Sequence, residues 1–179
     1  MHPSTLRTGP LTPFLRFSPS SWCVHDWLES RMRTALFRHG PMVLLMLAIF
    51  IVSSDLGSAD HTRPVLASIV RRFLPWLAQQ MTPAMIDVTD FIIRKIAHVT
   101  EYAVLCILVS RSVGINKHST LRERLVPAGI SSLYALSDEF HQSFVPSRGA
   151  AYTDVLWDTL GGVIGSVILT FVHWRRSKK

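Results

Sequence analysis

The sequence predicts an all-α fold: a polytopic membrane protein with four transmembrane helices in a bundle and an interfacial helix in the first outer loop. Three observations predict it. Mean hydropathy is +0.27, 48% of the residues are hydrophobic and 17% are charged, a balance unusual for a soluble chain of 179 residues. Four apolar runs approach the roughly 20 residues that a helix needs to cross a hydrocarbon core about 30 Å thick. The basic residues gather between those runs instead of interleaving with aromatics along one face, so the net charge of +7 reads as membrane topology and not as a nucleic-acid surface.

The elements follow in order. Residues 1–35, rich in Pro, Ser and Arg, lack the apolar stretch of a secretory signal peptide. They read as a poorly ordered cytoplasmic arm with a short surface helix around SWCVHDWLESRMRTALF. The membrane domain covers residues 36–174 and a basic cytoplasmic tail covers 175–179. The first span, Pro41 to Val52, is short and borrows Leu36 and Phe37, with Arg38 and His39 snorkelling. In the outer loop, Ser53 to Asp90, the stretch PVLASIVRRFLPWLAQQ surrounds Arg71 and Arg72 with apolar residues, and Pro75 prevents a continuous span. It reads either as a helix lying in the interface or as a loop packed on the bundle. Thr82 before Pro83, or Thr89 before Phe91, is placed to cap the second span. That span, Ala97 to Val113, reaches full length only from near Phe91, which draws Arg94, Lys95, His98 and Glu101 into its first turns. The third, Leu125 to Leu136, is too short unless it continues toward Val145, carrying Asp138 and Glu139 to the membrane surface or below it. The fourth, Val155 to Trp174, is almost uninterrupted. Cys23 and Cys106 lie far apart and imply neither a metal site nor a disulfide framework.

Lys and Arg mark the cytoplasmic side of a membrane protein. The arm, the loop between the second and third spans, and the tail together hold thirteen, against six in the two outer loops and the outer helix end. Both termini are therefore expected in the cytoplasm. The polar residues then converge at one level, the outer one. Arg94, Lys95, His98, Glu101 and Tyr102 start the second span, while Asp138, Glu139, His141 and Gln142 end the third. Arg148 and Asp154 lie in the following loop, and Asp158 one turn into the fourth span. Helical spacing sets Arg94, His98 and Glu101 on one face, and Asp154 and Asp158 on a stripe with Gly161, Gly162 and Gly165. Such small residues let a neighbouring helix approach closely, which turns the acidic stripe toward protein.

Ionisable groups at the centre of a span cost about 2.5–3.5 kcal/mol each on insertion scales, so they are normally paired, face inward and mark a site. Two readings stay open. One is a buried network in which Arg94 or Arg148 neutralises Asp138, Glu139 or Asp154 and fixes helix packing. The other, favoured because so many unlike groups meet, is a binding or catalytic pocket open to the outer surface.

At these residues the chain resembles the VanZ-like family of bacterial membrane proteins. FIIRKIAHVTEYAVL is similar to the family's RK-x-x-H-x-x-EY-x-x-L segment, DEFHQSFVPSR to its DE-x-x-Q-x-F-x-P-x-R segment, and DVLWDTLGGVIG to the helix that follows. LLMLAIFIVSS is similar to its first helix, which tends to end in Phe and serine. The likeness runs from about Pro41 to Val172, with Ser147 where Gly is common and Asp158 where Asn is frequent. It implies a four-helix protein of the bacterial cytoplasmic (inner) membrane, in a family named for an association with glycopeptide resistance, chiefly to teicoplanin. It brings no reaction and no cofactor.

Three functions compete. In a binding or resistance factor, Arg94, Lys95, His98 and Arg148 hold an anionic head group of an envelope lipid or a lipidated antibiotic, and Glu101, Asp138, Glu139 and Asp154 orient them. In an intramembrane enzyme, Glu139 or Glu101 is the general base, His98 or His141 the proton carrier, and Arg148 stabilises developing negative charge. A metal variant would pair His98 with Glu101 and Asp138 with His141 on facing helices, though such spacings arise easily by chance, and no metal is expected. The third function is a structural membrane subunit. Membrane lipids are the expected partners, nucleic acid is not, and the oligomeric state is left open.

Overall fold

The computed structural model describes residues 21–116, 118–148 and 152–178, and the side chains from residue 25 onward. The arm's expected disorder over residues 1–20, the Cys23 thiol, Lys117 and Lys179 lie outside the described residues. Every element among them is helical: α1 (Ser21–Ser53), a short 3-10 turn (Asp55–Gly57), α2 (Ala59–Phe73), α3 (Pro75–Ala78), α4 (Pro83–Val113), α5 (Leu121–Gln142) and α6 (Tyr152–Ser177). The chain divides into two compact units, Met1–Thr34 and Ala35–Lys179. In the first, the helical turns carry an Arg33–Glu29 ion pair of 2.9 Å and Arg31 4.9 Å over the Trp27 ring.

The second unit holds everything that follows. The short surface helix expected before the first span falls within the bounds of α1, Ser21–Ser53. Pro41 sits inside it and cannot donate to the carbonyl of Phe37, four residues back. Arg111 donates to that oxygen instead, at 2.7 Å, which satisfies the acceptor that proline leaves open. Thr82 caps α4 by accepting from the Met85 N–H at 3.3 Å, with Pro83 as the first helical residue. Gly114 ends α4 in the left-handed region at φ 85°, where glycine carries no steric penalty. A reciprocal capping box starts α5: Thr120 Oγ1 accepts from the Glu123 N–H while Glu123 accepts from the Thr120 N–H at 2.6 Å.

The core is small, centred on Ile49, Tyr102, Leu105, Val109 and Ala135, with Met42, Met46, Tyr134 and Val155 packed around it. Tyr134 donates to the Met46 carbonyl at 2.6 Å, tying α5 to α1. Between α4 and α6 the stripe of small residues sets the approach. A Cβ on Gly165 would lie 2.5 Å from the Ala103 carbonyl oxygen, and one on Gly161 would collide with that of Val99, whereas one on Gly162 would meet nothing nearer than 3.7 Å. Two of the three predicted packing glycines are thus required by contact, and the third is not.

The distribution of polarity is inverted relative to a soluble domain. Among the described residues, eleven buried side chains are polar or charged and nine are apolar or aromatic, while Leu44, Leu47, Ile51, Leu156, Val167 and Phe171 are exposed. A surface of that kind suits hydrocarbon better than water. Two helical stretches, His25–Ser53 and Tyr152–Ser177, are long and apolar enough to cross a membrane. Helices α4 and α5, of 31 and 22 residues, are long enough. The charges of Arg94, Lys95, Asp138 and Glu139 deny them the composition of a plain span.

Candidate functional site

The ends of α1, α4, α5 and α6 that carry the predicted polar residues come together. On α4, Arg94 pairs with the buried Asp90 one turn before it, at 3.1 Å. Lys95 reaches across to Asp154 on α6 and lies 5.1 Å over the Phe91 ring. One turn further, His98 places Nδ1 3.2 Å from Oδ1 of Asp158, whose side chain is 0% exposed. The approach is an ion-pair distance, with the ring N–H off the straight line of a hydrogen bond. Tyr102, fully buried, holds its hydroxyl without a hydrogen-bond partner among the described residues.

A second chain of contacts links α1 to α5. Asp138 accepts from Ser53 Oγ through one carboxylate oxygen and from Gln142 Nε2 through the other, the latter at 2.8 Å. Gln142 in turn accepts from Arg148 at 3.4 Å. Arg148 donates to the carbonyls of Val52 at 2.9 Å and Ser54 at 3.1 Å, filling acceptors that the end of α1 leaves open. No carboxylate lies within ion-pair distance of Arg148 among the described residues. Burial, and after it the neighbouring Arg94, pull its pKa below the ordinary guanidinium value. Ser147 donates to Asp55 and closes the loop over the 3-10 turn.

These groups frame two adjoining cavities. The larger, about 380 Å³, is lined by Arg94, Lys95, His98, Gln142, Arg148 and Asp154, with Phe91 and Trp157 as its aromatic wall. The smaller, about 200 Å³, shares Arg94, His98 and Arg148 and continues among Ile49, Val52, Ile93 and Ala97 to Glu101. The predicted set is therefore partitioned. Arg94, Lys95, His98, Glu101, Gln142, Arg148 and Asp154 line cavity, and Asp158 stands behind His98. Asp138 and Tyr102 are interior, while His141 stacks on Phe50 at 4.1 Å with Nε2 3.3 Å from Ser54. Glu139 borders a separate cavity with Leu136, Phe140, Tyr152 and Val155.

The two pairs of the metal variant do not converge: among the described residues, the one group of three or more ligand atoms within 4.8 Å of one another is His25, Asp26 and Glu29. The imidazole of His141 is occupied by Phe50 and Ser54, and Asp138 by Ser53 and Gln142. Sequence reasoning missed Asp90, Ser53, Ser54 and Asp55 as parts of the assembly. Asp90 was readable as the i−4 partner of Arg94 in DFIIR, and the two serines as the polar end of the first apolar run.

Inverted polarity, two helices apolar enough to span and charged groups gathered at helix ends point to a membrane protein that is helical throughout its described elements. The chain belongs to the VanZ/LLP1 family, whose sequence profile matches residues 40–173. No curated protein and no solved structure matches it.

Proposed function

We propose that the chain crosses the bacterial cytoplasmic membrane four times, with both termini inside, and that the larger cavity opens outward to hold the anionic head group of an envelope lipid. The observation that carries this reading is how the cations of the cavity wall are partnered. Arg94 and Lys95 each have one carboxylate partner, but Arg148 faces the same space with carbonyl and amide partners and no ion-paired acid among the described residues. A guanidinium so placed, with its pKa already depressed by burial and Arg94, gains from an anion, and its planar fork suits phosphate or carboxylate. The adjoining apolar cavity offers room for the first carbons of an acyl or prenyl chain. A lipidated glycopeptide, anionic at one end and acylated at the other, fits the same description, which is how the family's association with teicoplanin resistance enters the proposal.

Lipid analysis of the purified full-length chain is the test. Anionic lipids are expected to co-purify in excess over their membrane share, and Arg148→Gln is expected to lose that excess while accumulating normally. Equal lipid profiles for both proteins would refute the reading. Topology is checked separately: Ser147→Cys should react with an impermeant thiol reagent from outside, and labelling only from the cytoplasm would invert the arrangement.

A further inference from the structure

We propose that the paired cavities form a phosphomonoesterase site for a membrane lipid, in which His98 is the nucleophile, Asp158 positions it, and Arg94, Lys95 and Arg148 hold the phosphate. The inference rests on the head-group reading above and adds a reaction to it. Anion binding alone has no use for an imidazole backed by a buried acid, yet the structure provides one: Asp158, 0% exposed, stands 3.2 Å from Nδ1 of His98. A carboxylate at that distance favours the tautomer protonated at Nδ1 by charge, even off the straight line of a hydrogen bond, and so leaves the lone pair on Nε2. His98 lines both cavities.

The cations around it match one ligand chemistry. A phosphomonoester has three non-bridging oxygens, over which charge spreads in the transition state, and three cationic side chains share the wall with His98. Two of them are held in advance, Arg94 by Asp90 and Lys95 by Asp154, and Arg148 is fixed by two carbonyls. Donors fixed before the ligand arrives are the arrangement that lowers a barrier, because nothing reorganises as charge develops. The smaller cavity leads from His98 past Ile93 and Ala97, an apolar route for the alcohol side of the ester, and Glu101 lines it.

In the first step, Nε2 of His98 attacks phosphorus. The P–N bond forms as the P–O bond to the lipid alcohol breaks, and the leaving alkoxide takes the proton of the Glu101 carboxyl. In the second, water attacks phosphorus, the P–N bond breaks, and the water's proton returns to Glu101. The balance is one phosphomonoester and one water to one alcohol and one inorganic phosphate.

Full-length protein in phosphatidylcholine nanodiscs is tested with three radiophosphate-labelled probes: dioleoyl phosphatidic acid, oleoyl lysophosphatidic acid and a polyprenyl monophosphate. Probe binding, phosphate release and acid-labile, alkali-stable label on the protein after rapid quenching are measured together. At least one probe is expected to be hydrolysed and to leave such label. His98→Gln should bind that probe within about twofold while release falls at least roughly 100-fold. Asp158→Asn should lower release by roughly the same factor and displace its pH profile, with Asp158→Glu restoring part of the rate; a merely structural acid would leave the profile of the folded fraction unmoved. Binding of the probes with neither release nor label overturns this inference and leaves the head-group reading standing. Failure to bind any of the three overturns both, and undiminished release from His98→Gln overturns the assignment of the nucleophile.

Discussion

At the end of the helices that holds Arg38, Arg111 and Arg124, cations bond to backbone carbonyls, whereas at the end that holds Arg94 and Lys95 they face carboxylates across a cavity. Arg38 donates to the Ser112 carbonyl at 2.8 Å near the end of α4, Arg111 to the Phe37 carbonyl at 2.7 Å, and Arg124 to the Ser119 carbonyl at 3.0 Å. Each satisfies an acceptor that a helix end, a proline or a turn leaves open, and Arg38 and Arg111 also suit the negative end of the α4 dipole. The other end uses the same residue types differently. Its ion pairs, Arg94–Asp90 and Lys95–Asp154, fix cations around a space and do not fill it. Arg148 belongs to both patterns, since it closes the carbonyl end of α1 and also lines the cavity. The lesson is that a charged residue in an apolar chain is scaffold when it closes a backbone acceptor, and a site candidate when it is also held against open volume.

The largest expected effect joins the two ends. Gly165→Ala puts a Cβ 2.5 Å from the Ala103 oxygen and 3.0 Å from the Cys106 Cβ, so α6 must move off α4. A loss of about 3 kcal/mol is expected in thermal or denaturant unfolding in detergent, against less than about 0.5 kcal/mol for Gly162→Ala, whose Cβ has room. Equal losses would show that the stripe does not set the approach.

Next is Asp138→Ala, which removes from the interior the carboxylate that accepts from Ser53 and Gln142 and should cost about 2 kcal/mol in the same measurement. If it also abolishes lipid retention in fully folded protein, Asp138 is part of the site and not of its frame. A smaller effect separates the ends themselves. Gly57→Ala would drive a Cβ into the Arg148 guanidinium, and is expected to weaken anionic-lipid binding about tenfold, roughly 1.4 kcal/mol. Arg38→Gln, at the scaffold end, should leave that binding unchanged and lower only thermal stability. The smallest is Thr120→Ala, which opens the α5 capping box for a loss of about 1 kcal/mol and no change in binding.

Much of this arrangement was legible in the chain. The periodicity puts Arg94, His98 and Glu101 on one face, where the three line one cavity, and Gly161 and Gly165 fall where α6 meets α4 closely. The Thr82 cap was readable because threonine precedes proline at the start of an apolar-periodic segment. Other features depend on distance in space. Nothing in the sequence distinguishes Glu139, which turns to its own cavity, from Asp138, its neighbour, which binds Ser53 of another helix. His98 and His141 have similar settings in the sequence, yet one meets a buried acid and the other an aromatic ring. The unbroken length of α1 through Pro41 depends on a donor, Arg111, that lies about seventy residues away in the chain.

The central claim is that the cavity bordered by Arg148 receives an anionic head group. Equilibrium binding of phosphatidic acid and of phosphatidylcholine to the full-length chain, to Arg148→Gln and to Arg38→Gln tests it most directly. The account predicts that the native chain and Arg38→Gln prefer the anionic lipid alike and that Arg148→Gln loses at least about tenfold of that preference. Equal preference in all three proteins, or a loss confined to Arg38→Gln, would contradict it.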